Sequence, residues 1–281
     1  MSFVQVEGCR LHWAEIGRGP PLVLLHGLCD SHRTWLKVAP TLARSHRVLM
    51  LDLAGHGFSE RPNATYALEW HASIVGAWLD KLGLEGVGLV GHSYGGGVAL
   101  WMMLREHRAR IRKLALVATG GLGPDVCIAL RLASLPFVVE RFGQRFMARG
   151  TRLALSSVGG AYDREEIARL SSMNAMAGTA RAFARSVRDV IDWRGQHRHV
   201  LDGGNQVAPL PPVGLFWGER DPVIPISHAT ATASLLGGAP LTRFPQCGHF
   251  PHREKPMDFV RALEAFLDAP AVRVADTRAA A

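Results

Sequence analysis

Short apolar runs alternate with amphipathic stretches along residues 1–119 and again from 209 to 270. Phe3 to Val6 and Leu11 to Ile16 alternate apolar and polar positions, which predicts an antiparallel pair of half-buried strands. Leu22 to Leu25, Arg47 to Leu51, Val87 to Val90 and Leu114 to Ala118 are short apolar runs of the kind buried on both faces of a parallel sheet. Helical segments are predicted between them near Thr34 to Ala43, Leu68 to Leu82 and Gly95 to Glu106. The rhythm returns with strands at Val213 to Trp217 and Leu241 to Phe244, and helices at Ile226 to Leu236 and Met257 to Leu267. Such alternation implies a mostly parallel sheet covered by helices on both faces.

Between 120 and 208 the strand signal vanishes. Amphipathic stretches at Val126 to Phe142, Glu165 to Ala177 and Ala180 to Trp193 follow one another over a span too long for an ordinary loop. This predicts a helical cap inserted between two core strands, with Gly159-Gly160 and Gly203-Gly204 as its joints. The chain thus divides into a first core part (1–119), the cap (120–208), a second core part (209–270) and an alanine-rich tail (271–281) expected to be disordered. Trp101, Trp193, Phe137, Phe142, Phe146 and Phe183 are expected to pack within core or cap, some of them lining an apolar pocket.

With 281 residues and 48% hydrophobic content, the chain can bury a sizeable core. No apolar run is long enough to span a membrane, and no basic segment followed by an apolar one opens the chain, so a cytoplasmic location is expected. Cys9, Cys29, Cys127 and Cys247 are scattered without a Cys-x-x-Cys pair, which points to reduced thiols. Cys29 and Cys247 fall near the candidate chemistry but are read as small packing residues. The net charge of +8 is spread out. Its one dense cluster, Arg105, Arg108, Arg110, Arg112 and Lys113, is assigned to a helix end where cations complement the dipole. Without aromatic residues interleaved among the basic ones, no nucleic acid is expected as a partner, and without an apolar span no membrane is expected.

Ser93 lies in Gly91-His92-Ser93-Tyr94-Gly95, between a predicted strand and a predicted helix. The flanking glycines permit the sharp turn of a nucleophile elbow. A serine hydroxyl needs a base to take its proton and an acid to orient that base. Asp221 follows the strand ending at Trp217, and His249 follows the strand ending at Phe244. Ser93, Asp221 and His249 therefore occur in the required order, each just past a strand. The oxyanion needs two donors. The Tyr94 N–H at the head of a helix supplies one, and the Leu28 N–H, after the flexible Gly27, is assigned the other.

These residues resemble the α/β-hydrolase fold family in its capped, esterase-like serine hydrolase branch. The resemblance is carried in order by His26-Gly27, the segment Asp52-Leu53-Ala54-Gly55-His56-Gly57-Phe58-Ser59, the elbow, Gly218 to Asp221, Gly248-His249, Glu254 and Pro256. It implies an eight-stranded, mostly parallel sheet with an inserted helical cap. It also implies a hydrolase of carboxylic esters or lactones acting through an acyl-enzyme on Ser93, with no cofactor. The expected partner is a small ester or related acyl substrate, and the expected assembly a monomer or homodimer.

Rival assignments follow from the same residues. His252 is the alternative base and Glu219 the alternative acid, while Asp52 and Asp30 are read as structural and His26, His56 and His92 as loop-fixing hydrogen-bonders. A metal held by His197 and His199 with His71 or His12 is not expected, for want of His-x-x-x-His spacing. Serine at the elbow argues against the epoxide- and halide-cleaving relatives, which carry aspartate there. Carbon–carbon hydrolysis of vinylogous diketones is the main alternative, disfavoured by the His26-Gly27-Leu28-Cys29-Asp30 loop where those relatives carry a Gly- and Ser-rich one. Perhydrolysis, other lyase-like chemistry and a non-catalytic ligand-binding role are the remaining readings.

Overall fold

The computed structural model describes residues 2–104, 106–135, 138–158, 160–198 and 210–270. Its strands are β1 (Ser2–Val6), β2 (Cys9–Ile16), β3 (Pro21–Leu25), β4 (Arg47–Asp52), β5 (Val87–His92), β6 (Ile111–Val117), β7 (Val213–Gly218) and β8 (Leu241–Phe244). They form one sheet in the order β1-β2-β4-β3-β5-β6-β7-β8. The β1–β2 and β2–β4 pairs are antiparallel and all the others parallel, so the entry hairpin predicted from alternation is present.

Both faces of the central strands are buried, which is why they read as unbroken apolar runs. On β3, Val23 and Leu25 join one apolar layer with α2 (Leu68–Lys81) and α3 (Tyr94–Leu104). Leu22 and Leu24 join the opposite layer, built with α1 (Ala39–Leu42) and the last helix. The region 34–43, predicted as one helix, is a 3₁₀ turn (His32–Trp35) capped by Ser31, followed by the short α1 with Pro40 in its first turn. Pro40 has no N–H to continue a helix from the turn before it.

Between β6 and β7 the described residues hold five helices: α4 (Ile128–Ala133), α5 (Val138–Phe142), α6 (Met147–Ser157), α7 (Arg164–Asn174) and α8 (Thr179–Val190). The predicted 126–142 helix is thus two helices, separated by a stretch that includes Pro136. The α6 helix was not anticipated. The aromatic packing expectation fails at three positions: Phe142 and Phe146 are each 54% exposed and Trp193 67% exposed. Phe137, His199, Gly159, Gly203-Gly204 and the tail 271–281 lie outside the described residues.

The fold closes with α9 (Ser227–Leu235), α10 (Pro251–Glu254) and α11 (Pro256–Asp268). Of the basic cluster, Arg105 lies outside the described residues, and the remaining four divide between a 3₁₀ turn (Glu106–Arg110) and β6. Lys113 lies on β6, buried, and its Nζ donates to the carbonyls of Phe266 (2.7 Å), Leu267 (2.8 Å) and Ala269 (2.5 Å). It therefore caps the carboxyl end of α11, where a cation satisfies orphan carbonyls. Arg110 pairs with Asp80 and Glu85.

Phe259 anchors α11 to the sheet, fully buried against Trp35, Phe216 and Phe244 at ring separations of 6.3, 5.8 and 6.2 Å. Phe259→Ala should lower unfolding free energy by about 3–5 kcal/mol, the range for deleting a buried aromatic ring. Urea unfolding followed by tryptophan fluorescence measures this; a loss under about 1 kcal/mol would contradict the packing described.

Candidate active site

Ser93 stands between β5 and α3 with φ +52°, in the left-handed region that a β-carbon makes costly. Hydrogen bonds hold it there. Its N–H donates to the Val117 carbonyl at 3.0 Å, and its own carbonyl accepts from the N–H groups of Gly96 (3.0 Å), Gly97 (3.2 Å) and Gly120 (3.2 Å). The elbow presses against the β3 loop so closely that a β-carbon on Gly95 would lie 2.4 Å from the His26 carbonyl oxygen and 2.7 Å from that of Leu25. Glycine is required there by contact.

Asp221 and His249 meet as the order of motifs predicts. The His249 Nδ1 lies 2.8 Å from Asp221 Oδ2, while Asp221 Oδ1 accepts from the N–H groups of Val223 (2.8 Å) and Ile224 (3.0 Å). A carboxylate accepting at Oδ2 fixes the tautomer with a proton on Nδ1 and the lone pair on Nε2. The two loops are sewn together at Gly218, where an added β-carbon would lie 2.0 Å from the Gly248 carbonyl oxygen. The Arg220 N–H donates to the Cys247 carbonyl at 2.9 Å. Glu254, noted in the sequence only as part of a motif, grips the histidine loop from below. Its carboxylate accepts from Gly248 N–H at 2.8 Å and Phe250 N–H at 3.0 Å. No hydrogen bond joins the Ser93 hydroxyl to the His249 ring among the described residues.

The other motif histidines are structural. Leu53 N–H donates to His26 Nε2 at 3.0 Å, so His26 carries its proton on Nδ1 and donates it to the Gly27 carbonyl at 2.7 Å. In a trans peptide the N–H points opposite the carbonyl, so this bond turns the Leu28 N–H away from His26. His92 Nε2 donates to the His249 carbonyl at 2.9 Å, fixing the histidine backbone beside the elbow. His252, the rival base, instead meets Thr34 Oγ1 at 2.9 Å and lies against the Trp35 ring, 4.3 Å between centroids. Glu219, the rival acid, is exposed and donates its backbone N–H to Phe244.

Asp52 is the hub of the neighbouring loop. Its carboxylate meets His12 Nδ1 at 2.8 Å and His32 Nδ1 at 2.9 Å, and accepts from the N–H groups of His32 (2.6 Å) and Phe58 (2.9 Å). Burial alone would raise its pKa, but the hydrogen bonds from His12 and His32 outweigh it and hold the carboxyl well below the usual range. His12, His32 and Asp52 lie close enough to share a cation. Their facing atoms are already spent on one another, which marks a closed structural hub. Burial pushes the Cys29 and Cys247 thiols up to about 12, consistent with packing roles.

Ser93, Tyr94 and Leu28 open onto a pocket of about 440 Å³, its solvent mouth included, otherwise walled mainly by Leu68, Val126, Leu130, Val190, Ile191 and Ile224. The 118–198 region thus contributes much of the wall. Among the described residues Arg198 is the only charged side chain lining it, and Glu69 and Asp189 both pair with that guanidinium. Two contacts invisible in the sequence tie the insertion to the loop carrying Leu28. Asn174 Nδ2 donates to the Cys29 carbonyl at 2.7 Å, and the Tyr162 hydroxyl donates to Asp30. Cys29 itself has φ +56°.

A family model described as the alpha/beta hydrolase fold matches residues 20–256. The chain belongs to the α/β-hydrolase fold family. It is 33% identical over 278 residues to an uncharacterized protein of Mycobacterium tuberculosis (strain ATCC 25618 / H37Rv), covering 95% of this chain and 81% of that one. It is 30% identical over 279 residues to a 2-hydroxymuconate semialdehyde hydrolase of Pseudomonas sp. (strain CF600), covering 94% of both. Among solved structures, an alpha/beta hydrolase fold protein from Burkholderia ambifaria superposes with a TM-score of 0.79 at 28% identity, over 93% of this chain and 96% of the other.

Within this α/β hydrolase, burial holds His26, His56, His71, His92 and His252 below the ordinary imidazole range, His71 down to about 3. Below pH of about 6.5 the unfolded chain takes up protons that these folded histidines refuse, so stability falls as pH falls. His71 alone should cost about 2 kcal/mol between pH 7 and pH 5. Urea midpoints across that range measure it; a flat or rising midpoint toward pH 5 would contradict the neutral buried rings.

Proposed function

We propose that this α/β hydrolase is a serine carboxylic ester hydrolase with a Ser93-Asp221-His249 triad, its 118–198 insertion acting as a cap over an apolar acyl pocket. The observation that carries the reading is the Asp221–His249 hydrogen bond beside a serine held at φ +52° on the pocket wall. His249 Nε2 takes the Ser93 proton as Oγ bonds to the acyl carbon. The Leu28 and Tyr94 N–H groups receive the oxyanion. On collapse the carbon–oxygen bond of the leaving alkoxide breaks and His249 returns the proton to it. A water then loses a proton to His249 and bonds to the acyl carbon. The adduct collapses with cleavage of the acyl carbon–Oγ bond as His249 returns the proton to Ser93 Oγ, freeing the carboxylic acid. Asp221 stabilises the imidazolium at both stages. The serine and base approach hydrogen-bonding distance once substrate fills the pocket, since such contacts are commonly long in empty sites.

The charge pattern of the pocket favours a neutral ester over an acidic substrate. Arg198, the cation in the wall, is already matched by two carboxylates, Glu69 and Asp189. Carbon–carbon hydrolysis is the second reading, supported by the 30% identity to the Pseudomonas 2-hydroxymuconate semialdehyde hydrolase.

The two readings separate on a pair of substrates. Hydrolysis of p-nitrophenyl butyrate should be readily measurable and should fall by about 10⁴-fold or more in Ser93→Ala, as expected when a nucleophile is deleted. A vinylogous 1,5-diketone acid should be cleaved far more slowly. Faster, Ser93-dependent cleavage of the diketone would make the second reading the better one, and inertness toward both would sink the enzyme assignment for these substrate classes.

A further inference from the structure

The segment 141–153 of the insertion reads Arg-Phe-Gly-Gln-Arg-Phe-Met-Ala-Arg-Gly-Thr-Arg-Leu. It runs through the end of α5, a 3₁₀ turn (Gly143–Phe146) and α6, nearly continuous in its helical winding. Gln144, Met147 and Thr151 face inward. Gln144 Nε2 donates to the carbonyls of Ala175 and Met176 at 3.0 and 2.9 Å, Met147 is buried, and Thr151 Oγ1 accepts from Asn174 at 3.1 Å. The residues left on the outside recur at the same helical spacing. They are the arginines 141, 145, 149 and 152, all exposed, interleaved with Phe142 (54% exposed), Phe146 (54%) and Leu153 (76%). The absence of aromatic–basic interleaving read from the sequence is therefore corrected here.

None of these four arginines has an ion-pair partner among the described residues, and 141–158 contains no acidic residue. The nearest acid in sequence, Glu140, is taken by Arg185 and Arg188. On the neighbouring α7, Glu165 pairs with Arg169 and Glu166 with Arg253, so that helix does not neutralise the stripe. Arg145 lies over the Phe146 ring at 5.7 Å, within reach of a weak cation–π contact that leaves the ring exposed.

We infer that this outer face of the insertion docks on an anionic lipid surface. Arginines on an exposed helical face would pair with any polyanion, and unpaired bases could stack on the two rings, but neither a nucleic acid nor an acidic peptide gives Leu153, 76% exposed, an apolar surrounding. A bilayer interface satisfies both sets at once: headgroup phosphates meet the guanidinium groups while the two rings and Leu153 enter the acyl boundary. No helix of the described residues is long and apolar enough to cross a membrane, and attachment of this kind needs none. The expectation of no membrane partner rested on the missing span alone. The inference stands apart from the reaction assigned to Ser93.

Flotation with vesicles of phosphatidylcholine alone, or of phosphatidylcholine mixed equally with phosphatidylglycerol, tests it. The wild-type chain should float with the mixed vesicles and not with the neutral ones. Each arginine near an anionic surface contributes roughly fivefold in partitioning, so the combined variant R141Q/R145Q/R149Q/R152Q should bind at least about a hundredfold more weakly. The variant F142S/F146S/L153S should also lose binding while keeping its arginines. Both variants change exposed positions and should keep the wild-type thermal midpoint. No flotation of the wild type, equal flotation with neutral vesicles, unchanged binding by either variant, or binding to polyuridylate in place of vesicles would each overturn the inference.

Discussion

Everything in the candidate site depends on the backbone of Ser93 being locked in a conformation that a serine does not adopt freely. The left-handed turn at φ +52° lifts the side chain off the end of β5 and starts α3 in the same step. Strain of about 1–3 kcal/mol persists at such a position only when its surroundings over-determine it. Here β6 receives the Ser93 N–H through Val117, while Gly96, Gly97 and Gly120 converge on its carbonyl. The crowding of Gly95 against the His26 and Leu25 carbonyls then brings the Leu28 loop to the same turn. The candidate nucleophile and oxyanion donors are thus products of one packing constraint.

Around that turn, histidines serve as rigid hydrogen-bonding struts. His26 sets the orientation of the Gly27–Leu28 peptide, His92 ties the elbow to the His249 backbone, and His252 ties the same loop to Thr34. Burial holds all three below the ordinary imidazole range; His26 donates through one nitrogen and accepts through the other, while among the described residues His92 and His252 bond through Nε2 alone. His249 Nδ1 is turned to Asp221, a carboxylate fixed by two backbone N–H groups, whereas His12 and His32 share the Asp52 carboxylate in the closed hub.

The core was legible because two-sided burial writes the central strands as plain apolar runs, while alternation marked β1 and β2. Ser93, Asp221 and His249 were legible because each follows such a run. The insertion was not. Its helices are amphipathic against one another, so its apolar residues divide between inward contacts and an exposed face that periodicity cannot tell apart. Phe142 and Phe146 read as packing residues for that reason, although both are exposed. Lys113 misled in the opposite sense: a lysine in a basic run reads as solvated, yet it caps α11 from within. The grip of Asn174 and Tyr162 on the Leu28 loop spans more than a hundred residues and has no local signature.

The central claim is that this packing makes Ser93 a nucleophile with His249 as its base. Labelling by an alkyl fluorophosphonate, read by mass spectrometry of the digested protein, tests it without reference to any natural substrate. The reagent forms an Oγ–phosphorus bond with loss of fluoride, and it does so readily only at an activated serine. The account predicts one adduct, on the peptide carrying Ser93, formed rapidly in the wild type and at least about a hundredfold more slowly in His249→Ala. An unlabelled Ser93, or labelling at the same rate without His249, would contradict it.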